Sequence, residues 1–167
     1  INPNFVINCI SAIKQTITEK KESINNAISI NSFFPLKISK KSADLSFNYI
    51  QIGTDCVFSG LEGGYIETST TNATDVYGKT KIVGEISSKN KTLIRSSIVG
   101  PESGSGMSLL NWFLKTEEPE VNGFTDHEWN GVTTLNFAKI VLGITKNEQT
   151  GIKLQHLVPS DIVNKYE

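Results

Sequence analysis

Cysteine and histidine are scarce in this chain of 167 residues, and their scarcity excludes several kinds of site. Cys9 and Cys56 are the only cysteines, and they lack the C-x-x-C spacing of metal and redox motifs. We expect both to be buried, inert thiols in a reducing compartment, because free cysteines are commonly buried. His127 and His156, the only histidines, are too far apart in sequence to suggest ligands of one metal ion. No metal site is expected.

Long apolar runs and clusters of basic residues are also missing. No segment approaches the length of a membrane span, and no signal peptide precedes the first apolar run, so we expect no membrane partner and a cytoplasmic location. The formal net charge is −1 and the lysines form no basic stripe, which argues against a nucleic-acid partner. The composition that remains, with 38% hydrophobic and 20% charged residues, suffices for the core of one ordinary domain.

Segments typical of strands alternate along the chain with segments typical of helices. Apolar runs predict strands at residues 5–10, 47–52, 92–99 and 154–158. Helices are predicted at residues 16–39 with a break or bend before Pro35, and at 75–87, 108–114 and 133–145. This alternation predicts an α/β fold with a doubly wound parallel sheet and helices on both faces. Ligands of such sheets bind at the carboxyl ends of the strands.

The most informative segment places a phenol and an ammonium four residues apart, at Tyr77 and Lys81. In a helix these side chains share one face, and Thr54 ends the preceding predicted strand. A nearby cation favours ionisation of a tyrosine, and a threonine hydroxyl can orient a substrate oxygen for proton transfer. Residues 59–74, rich in glycine and polar residues, predict a long loop over the site. The pattern indicates carbonyl or alcohol chemistry, although an exposed helix with an ordinary tyrosine and lysine has the same spacing.

Several blocks of sequence resemble one family of enzymes. They are residues 6–9 (VINC), 53–60 (GTDCVFSG), 75–85 (DVYGKTKIVGE) and 93–100 (LIRSSIVG), together with Tyr65, Glu67, Asn31 and Pro35. With them the chain resembles the extended short-chain dehydrogenase/reductase family, and most closely its dTDP-4-dehydrorhamnose reductase-like sugar-nucleotide reductases. The resemblance implies a Rossmann-like sheet. Residues 1–100 would then be the C-terminal part of a dinucleotide-binding domain with the catalytic residues, and 101–167 part of a substrate-binding region.

The resemblance also implies roles for individual residues. Thr54, Tyr77 and Lys81 would be the catalytic triad, and the cofactor would be NADP or NAD. The residues that match the cofactor-binding positions are Asn8, Cys9, Ile10, Ser11, Ala12, Tyr77, Lys81, Ser97 and Ile98. The residues that match the substrate-binding positions are Asp55, Cys56, Val57 and Trp129.

One motif of the family is absent from this chain. The family opens with a G-x-x-G-x-x-G turn whose backbone N–H groups hold the cofactor pyrophosphate. The glycine-rich residues 100–106 follow a different strand, contain Pro101 and are predicted to form a loop. The resemblance therefore implies that the sheet lacks its N-terminal βαβ part, about two βαβ units of the family's domain. The choice between NAD and NADP is made in that part.

The resemblance implies NAD(P)H-dependent reduction of a nucleotide-linked 4-keto-6-deoxy sugar, in deoxysugar or polysaccharide biosynthesis. The partner would be the nucleotide-sugar substrate, and the chain could also form a homodimer. Two alternatives stay open: a sugar-nucleotide epimerase on the same scaffold, and a non-catalytic subunit resembling the methionine adenosyltransferase regulatory subunit.

Two residues keep two interpretations each. Arg95, the single arginine, could anchor a substrate phosphate or form a structural ion pair at a strand end. Trp129 could cover the sugar pocket or pack as an ordinary aromatic side chain before a helix.

Overall fold

The computed structural model describes residues 2–102, 108–148 and 153–166. Of the glycine-rich segment predicted as a loop, residues 103–106 lie outside this described part. The chain divides into two compact units: Ile1–Arg95 with Glu148–His156, and Ser96–Asn147 with Leu157–Glu167.

The described part holds eight strands and five α-helices. The strands are β1 (Phe5–Asn8), β2 (Asn48–Ile52), β3 (Lys91–Arg95), β4 (Ile98–Val99), β5 (Glu128–Trp129), β6 (Val132–Thr133), β7 (Leu154–His156) and β8 (Val163–Asn164). The helices are α1 (Lys21–Ile28), α2 (Phe34–Leu45), α3 (Val76–Gly84), α4 (Leu109–Lys115) and α5 (Thr134–Lys146).

The first unit is built on a four-stranded parallel sheet in the order β1-β2-β3-β7. Its register pairs Asn8 with Gln51, Gln51 with Leu93, and Leu93 with Leu154. The central strands are hidden on both faces, as parallel sheets require, and all five residues of β3 are buried. The predicted α/β fold with a parallel sheet is confirmed.

One helical segment of the first unit runs without a break from Lys21 to Leu45, through α1, a π-helical turn at Ser29–Phe33, and α2. Of the predicted break or bend before Pro35, the break does not occur, and the helix widens into the π-helical turn there instead. Pro35 has no N–H for the Asn31 carbonyl, and the wider turn accommodates this missing hydrogen bond. The segment ends where Ser46 adopts a left-handed conformation with φ of 59°.

The predicted strand at residues 92–99 is two strands in two units. β3 ends at Arg95, and β4 instead pairs in parallel with β6 of the second unit. The Ser96 hydroxyl donates to the Leu157 carbonyl at 2.8 Å, and the Ser97 carbonyl accepts from the Val132 N–H at 2.9 Å. These bonds direct the chain out of the first sheet after Arg95, so the continuous-strand prediction is wrong.

The second unit contains two small sheets, β4-β6 and the antiparallel pair β5-β8, together with α4 and α5. Helix α5 buries Phe137, Val141 and Ile144, one stripe at helical spacing. Helix α4 has no buried residue, and its Trp112 is 50% exposed.

The exposure of the cysteines differs from the sequence prediction. Cys9 follows the last residue of β1 and Cys56 lies in a turn after β2, and both are exposed rather than buried. Their positions explain the difference, because both lie beyond the strand ends at the open carboxyl edge of the sheet. No helix in the described ranges is long and apolar enough to cross a bilayer.

Candidate active site

Thr54 lies just beyond the carboxyl end of β2, where it starts the 3₁₀ turn Asp55–Val57. Its hydroxyl accepts from the Cys56 N–H at 3.2 Å and donates to the Asp55 carboxylate at 3.1 Å. The N–H of Gly53 donates to the Ile94 carbonyl at 2.7 Å, which extends the pairing with β3 up to the turn. Thr54 is only 7% exposed, so its hydroxyl is held in one place.

Helix α3 begins beside this turn. Its N-cap is Asp75, whose carboxylate accepts from the Gly78 N–H at 2.7 Å. A β-carbon at Gly78 would overlap the Cys56 carbonyl and the Ala73 side chain, so the helix packs directly on the turn. The close approach needs a residue without a side chain. It places the first turn of α3, with Tyr77, next to the Thr54 turn.

The Tyr77 side chain is partly buried in this arrangement. Burial raises its pKa, while hydrogen bonding with the side chains of Thr54 and Ser11 lowers it. The phenol is thus a weak acid at neutral pH and keeps its proton. The structure brings the side chains of Tyr77 and Thr54 together.

Lys81 lies one helical turn after Tyr77 and is 5% exposed. Its ammonium donates to the Ile52 carbonyl at the end of β2 at 3.1 Å. Burial lowers the pKa of Lys81, and the charge of Glu85 raises it. The hydrogen bond fixes α3 to the same strand that leads into Thr54, so all three predicted catalytic side chains converge on the end of β2.

The segment after β1 is held against α3 by Asn31, which is 1% exposed in the π-helical turn. The Asn31 side-chain oxygen accepts from the Ala12 N–H at 2.9 Å and the Ser11 hydroxyl at 3.1 Å. Its amide donates to the Ala12 carbonyl at 3.0 Å and the Thr80 hydroxyl at 3.1 Å. Sequence reasoning assigned Asn31 no site role; its one signal is a polar residue among the apolar positions of a predicted helix.

Among the predicted cofactor residues of β1, Asn8 is buried and the next two residues are exposed. The Asn8 amide donates to the Tyr49 hydroxyl at 3.1 Å, and its side-chain oxygen accepts from the Ile10 N–H at 3.0 Å. Burial raises the pKa of Tyr49 to about 12. Cys9 is exposed and Ile10 is 57% exposed at the carboxyl edge. The buried Asn8 side chain therefore fixes the backbone at this edge through its hydrogen bonds.

The predicted substrate residues of the turn differ in exposure. Asp55 and Cys56 are exposed, and partial desolvation together with the Asp55 charge raises the pKa of the Cys56 thiol. The Val57 side chain is fully buried and faces the core. Only the first two therefore present side chains at the surface of the turn.

Ser97, Ile98 and Trp129 belong to the second unit. The Trp129 indole N–H donates to the Ser97 hydroxyl at 2.7 Å, and its ring packs on Gly131. Packing before the helix, one of the two interpretations of Trp129, is what the structure shows within this unit.

Arg95 forms a structural ion pair, one of its two interpretations. Its guanidinium binds the Glu85 carboxylate at 2.7 Å, and both side chains are 7% exposed. The guanidinium also lies 3.3 Å from the His156 ring nitrogen and 5.2 Å from the Phe58 ring centroid. Arg95 is therefore engaged inside the first unit.

The 59–74 loop is attached to the rest of the first unit through its middle and through its C-terminal end. Phe58 stacks on Tyr65 with ring centroids 4.3 Å apart, and the Glu67 carboxylate accepts from the His156 N–H at 2.8 Å. The N–H groups of Asn72 and Ala73 both donate to the Val57 carbonyl at 3.0 Å. No cluster of metal-ligating side chains occurs among the residues that the structure describes.

The parallel sheet and the tyrosine–lysine helix beside a strand-end threonine define the class of protein as a Rossmann-like α/β protein of the short-chain dehydrogenase/reductase type. The family model described as the RmlD substrate binding domain matches residues 1–167, the whole chain. The chain belongs to this family, and the resemblance inferred from its motifs is confirmed.

Similar proteins of known sequence include the spore coat polysaccharide biosynthesis protein SpsK of Bacillus subtilis, 25% identical over 99% of this chain and 58% of that protein. A dTDP-4-keto-6-deoxy-D-glucose reductase of Streptomyces niveus is 23% identical over 90% of this chain and 54% of that protein. The methionine adenosyltransferase 2 subunit beta of Xenopus tropicalis is 30% identical over 50% of this chain and 24% of that protein. The chain thus spans little more than half the length of the first two.

Similar solved structures share the fold. A dTDP-4-dehydrorhamnose reductase from Clostridium acetobutylicum has a TM-score of 0.78 at 24% identity, covering 97% of this chain and 58% of that one. The dTDP-4-dehydrorhamnose reductase from Bacillus anthracis, solved with NADP, has a TM-score of 0.81 at 18% identity over 98% and 59%. A UDP-glucuronic acid 4-epimerase from Bacillus cereus, solved with NAD, has a TM-score of 0.72 at 13% identity over 96% and 56%.

Proposed function

We propose that this chain carries the proton-donating side of an NADPH- or NADH-dependent reductase that acts on a nucleotide-linked 4-keto-6-deoxy sugar. The observation that carries the proposal is the convergence of Thr54, Tyr77 and Lys81 on the carboxyl end of β2. Relatives named as reductases of such sugars, in the same family, support the choice of substrate class.

In this proposal the Tyr77 hydroxyl donates its proton to the C4 carbonyl oxygen of the sugar. The bound nicotinamide cofactor supplies the hydride to the carbonyl carbon, so the products are the sugar alcohol and the oxidised cofactor. The phenol suits the donor role because burial keeps it protonated at neutral pH. Thr54, held by its turn, can donate to the same carbonyl oxygen once its bond to Asp55 opens. Lys81 contributes a positive charge that stabilises the developing tyrosinate.

The residues of the first unit fit one end of a dinucleotide cofactor. The Lys81 ammonium can donate to a ribose hydroxyl, and the exposed backbone at Cys9 and Ile10 lies at the edge where such ligands bind. Asn31 holds Ser11 and Ala12 against α3 and so keeps this edge in place. The glycine-rich phosphate turn has no counterpart among these residues, so we assign them the nicotinamide–ribose end and no contact with the pyrophosphate.

In the division of labour that we propose, residues 1–100 bind the cofactor and carry out the chemistry. Residues 101–167 contribute part of the substrate-binding region. The chain by itself should bind NADPH weakly, because it offers no cradle for the pyrophosphate. Titration with NADPH followed by fluorescence tests this, and tight saturable binding would contradict it.

The test of the activity is an assay of the complete gene product with dTDP-4-dehydrorhamnose and either NADPH or NADH. We expect loss of reduced cofactor and one equivalent of sugar alcohol per cofactor oxidised. An unchanged cofactor concentration, with the purified protein folded and the sugar intact, would contradict the proposal.

A sugar-nucleotide epimerase is a second candidate, and the structural similarity to the Bacillus cereus 4-epimerase favours it. An epimerase would change the sugar configuration without net consumption of reduced cofactor. Product analysis of the same assay distinguishes the two.

A non-catalytic subunit is a third candidate, favoured by 30% identity over 83 residues to the methionine adenosyltransferase 2 subunit beta. The convergent triad argues against it. A complete gene product that binds NADPH, converts no nucleotide sugar and co-purifies with a second enzyme would support this role.

A further inference from the structure

Four charged side chains lie buried between helix α3 and the sheet of the first unit. Lys81, Lys91 and Arg95 are 5%, 3% and 6% exposed, and the Glu85 side chain is 7% exposed. Three cations therefore share one carboxylate in this part of the described structure. An excess of buried positive charge destabilises the folded state unless the carboxylate interacts electrostatically with all three cations.

Glu85 occupies the position from which it can do so. It follows Lys81 by four residues at the end of α3, so the two side chains lie on the same face of the helix. The Arg95 Nη2 donates to one carboxylate oxygen at 2.7 Å, and its Nε lies 3.2 Å from each of the two oxygens. This bidentate pair fixes the position of the Glu85 carboxylate.

The two lysines, in contrast, donate to neutral carbonyl groups. The Lys81 ammonium donates to Ile52, and the Lys91 ammonium donates to Gly84 at 2.9 Å and to Ile86 at 3.0 Å. Burial lowers the pKa of Lys81 and lowers that of Lys91 to about 8, and the Glu85 charge raises both. Neutral acceptors alone do not hold a buried ammonium in its charged form.

The other titratable groups that face this cluster come from four elements. Tyr77 lies on α3, Cys56 in the 3₁₀ turn acts electrostatically on Lys81, and the Lys91 ammonium lies 5.9 Å from the Tyr49 ring centroid. The His156 ring on β7 contacts Arg95. The Glu67 carboxylate of the 59–74 loop also acts electrostatically on Arg95, whereas the Glu85 carboxylate acts on both lysines.

We propose that Glu85, held by Arg95, is a positioning residue that keeps Lys81 an ammonium at neutral pH. The catalytic consequence of this proposal rests on the proposed function. A neutral Lys81 could not stabilise a tyrosinate by its charge, and it would have one N–H donor fewer for hydrogen bonds to a cofactor. The electrostatic part is a property of the fold and holds whether or not the sugar is the substrate.

Nuclear magnetic resonance titration of the lysine side-chain carbons in the complete gene product tests the electrostatic part without turnover. The Lys81 signal is assigned from its loss in Lys81→Met, and the Lys91 signal from its loss in Lys91→Met. We expect the Lys81 pKa of the unmodified protein to lie above neutral pH. A value below about pH 7 would overturn the proposal without any change at Glu85.

Two variants then separate the proposed role from a merely structural one. Glu85→Gln should lower the Lys81 pKa by about one pH unit or more, because it removes the opposite charge. Arg95→Lys keeps a cation against the Glu85 carboxylate, so the Lys81 pKa should stay close to its value in the unmodified protein. A structural role predicts that both variants lower the melting temperature and leave the Lys81 pKa unchanged, and that result would overturn the proposal.

The pH profile of kcat/KM provides the catalytic readout. Its alkaline limb should move to lower pH in Glu85→Gln and should not do so in Arg95→Lys. If the Lys81 pKa moves as expected but no sugar is reduced, the proposed function fails and the role of Glu85 in the charge of Lys81 stands. If sugar is reduced and the alkaline limb is the same in all three proteins, the positioning role fails and the proposed function stands.

Discussion

Helices α3 and α5 are both well formed, but they pack by opposite means. Helix α5 buries a stripe of Phe137, Val141 and Ile144 in the second unit. Helix α3 of the first unit buries two glycines together with Thr80 and Lys81, and no large apolar side chain. Buried apolar area holds α5 in place, whereas close backbone approach and hydrogen bonds hold α3 in place.

The difference explains how a helix can present functional groups without losing its position. Gly78 and Gly84 allow α3 to pack directly on the Cys56 and Asn31 carbonyl groups. The space an apolar side chain would fill is therefore free for Tyr77 and Lys81, which point to the strand end. Removing side-chain atoms from α5 should therefore lower the unfolding free energy, and adding side-chain atoms to α3 should lower it too.

The largest effect is expected from a truncation in α5. Phe137 is 4% exposed, so Phe137→Ala should cost about 3–5 kcal/mol of unfolding free energy through lost burial and a cavity. Urea denaturation measures this. The exposed Leu135→Ala is the matched control on the same helix, with an expected change within about 0.5 kcal/mol. Equal losses in both variants would refute the apolar account of α5.

The next effect is a pH dependence at the C-terminal end of α3, where Lys91 binds the Gly84 and Ile86 carbonyls. The pKa of Lys91 falls from 10.5 to about 8 on folding, so between these values the unfolded chain binds more protons than the folded one. Stability should therefore rise with pH across this window. The burial cost, about 3 kcal/mol, is fully present below pH 8 and disappears above the unfolded pKa.

The measurement compares urea unfolding of the unmodified protein with Lys91→Met at several pH values between about pH 7 and pH 10. The difference in unfolding free energy between the two should shift in favour of the unmodified protein as pH rises. A difference that stays constant would show that Lys91 titrates normally.

A pair of glycine substitutions tests the comparison most evenly. Gly84→Ala in α3 should cost about 1–3 kcal/mol, because the added methyl group meets the Asn31 carbonyl. Gly143→Ala in α5 meets no atom within 4 Å and should stabilise by up to about 1 kcal/mol through helix propensity. Thermal denaturation of both variants is sufficient. The same sign for the two changes would undo the distinction between the helices.

The smallest effect concerns the feature that the two helices share. Asp75 caps α3 and Thr133 caps α5, the latter by accepting from the Asn136 N–H at 3.2 Å. Replacing either residue by alanine should lower the unfolding free energy by about 1 kcal/mol.

The Lys14 ammonium lies 2.8 Å from the Asp75 carboxylate but is 67% exposed, so Lys14→Ala should change stability by less than either cap variant. A Lys14→Ala loss as large as that of Asp75→Ala would show that the ion pair matters more than the cap.

The parts of the fold that depend on local pattern were predictable from the sequence. The helices predicted at residues 75–87 and 133–145 rest on neighbours within one or two turns, and the structure has helices at Val76–Gly84 and Thr134–Lys146. Strand alternation likewise predicted the parallel sheet.

The features that were missed depend on distant residues. Helix continuity through Pro35 relies on a π-helical turn whose Asn31 carbonyl faces Gly84, far away in sequence. The end of β3 depends on a bond from Ser96 to Leu157. The Asn31 side chain joins the segment after β1 to Thr80, a contact that no periodicity announces.

The central claim is that the Tyr77 hydroxyl is the proton donor, and one substitution tests it most directly. Tyr77→Phe removes the hydroxyl and keeps the ring, so kcat for dTDP-4-dehydrorhamnose should fall by about 10²–10⁴-fold. The melting temperature should be nearly unchanged, and Tyr166→Phe, at a 73% exposed position, should keep the full rate. A Tyr77→Phe protein that reduces the sugar at close to the unmodified rate would contradict the account.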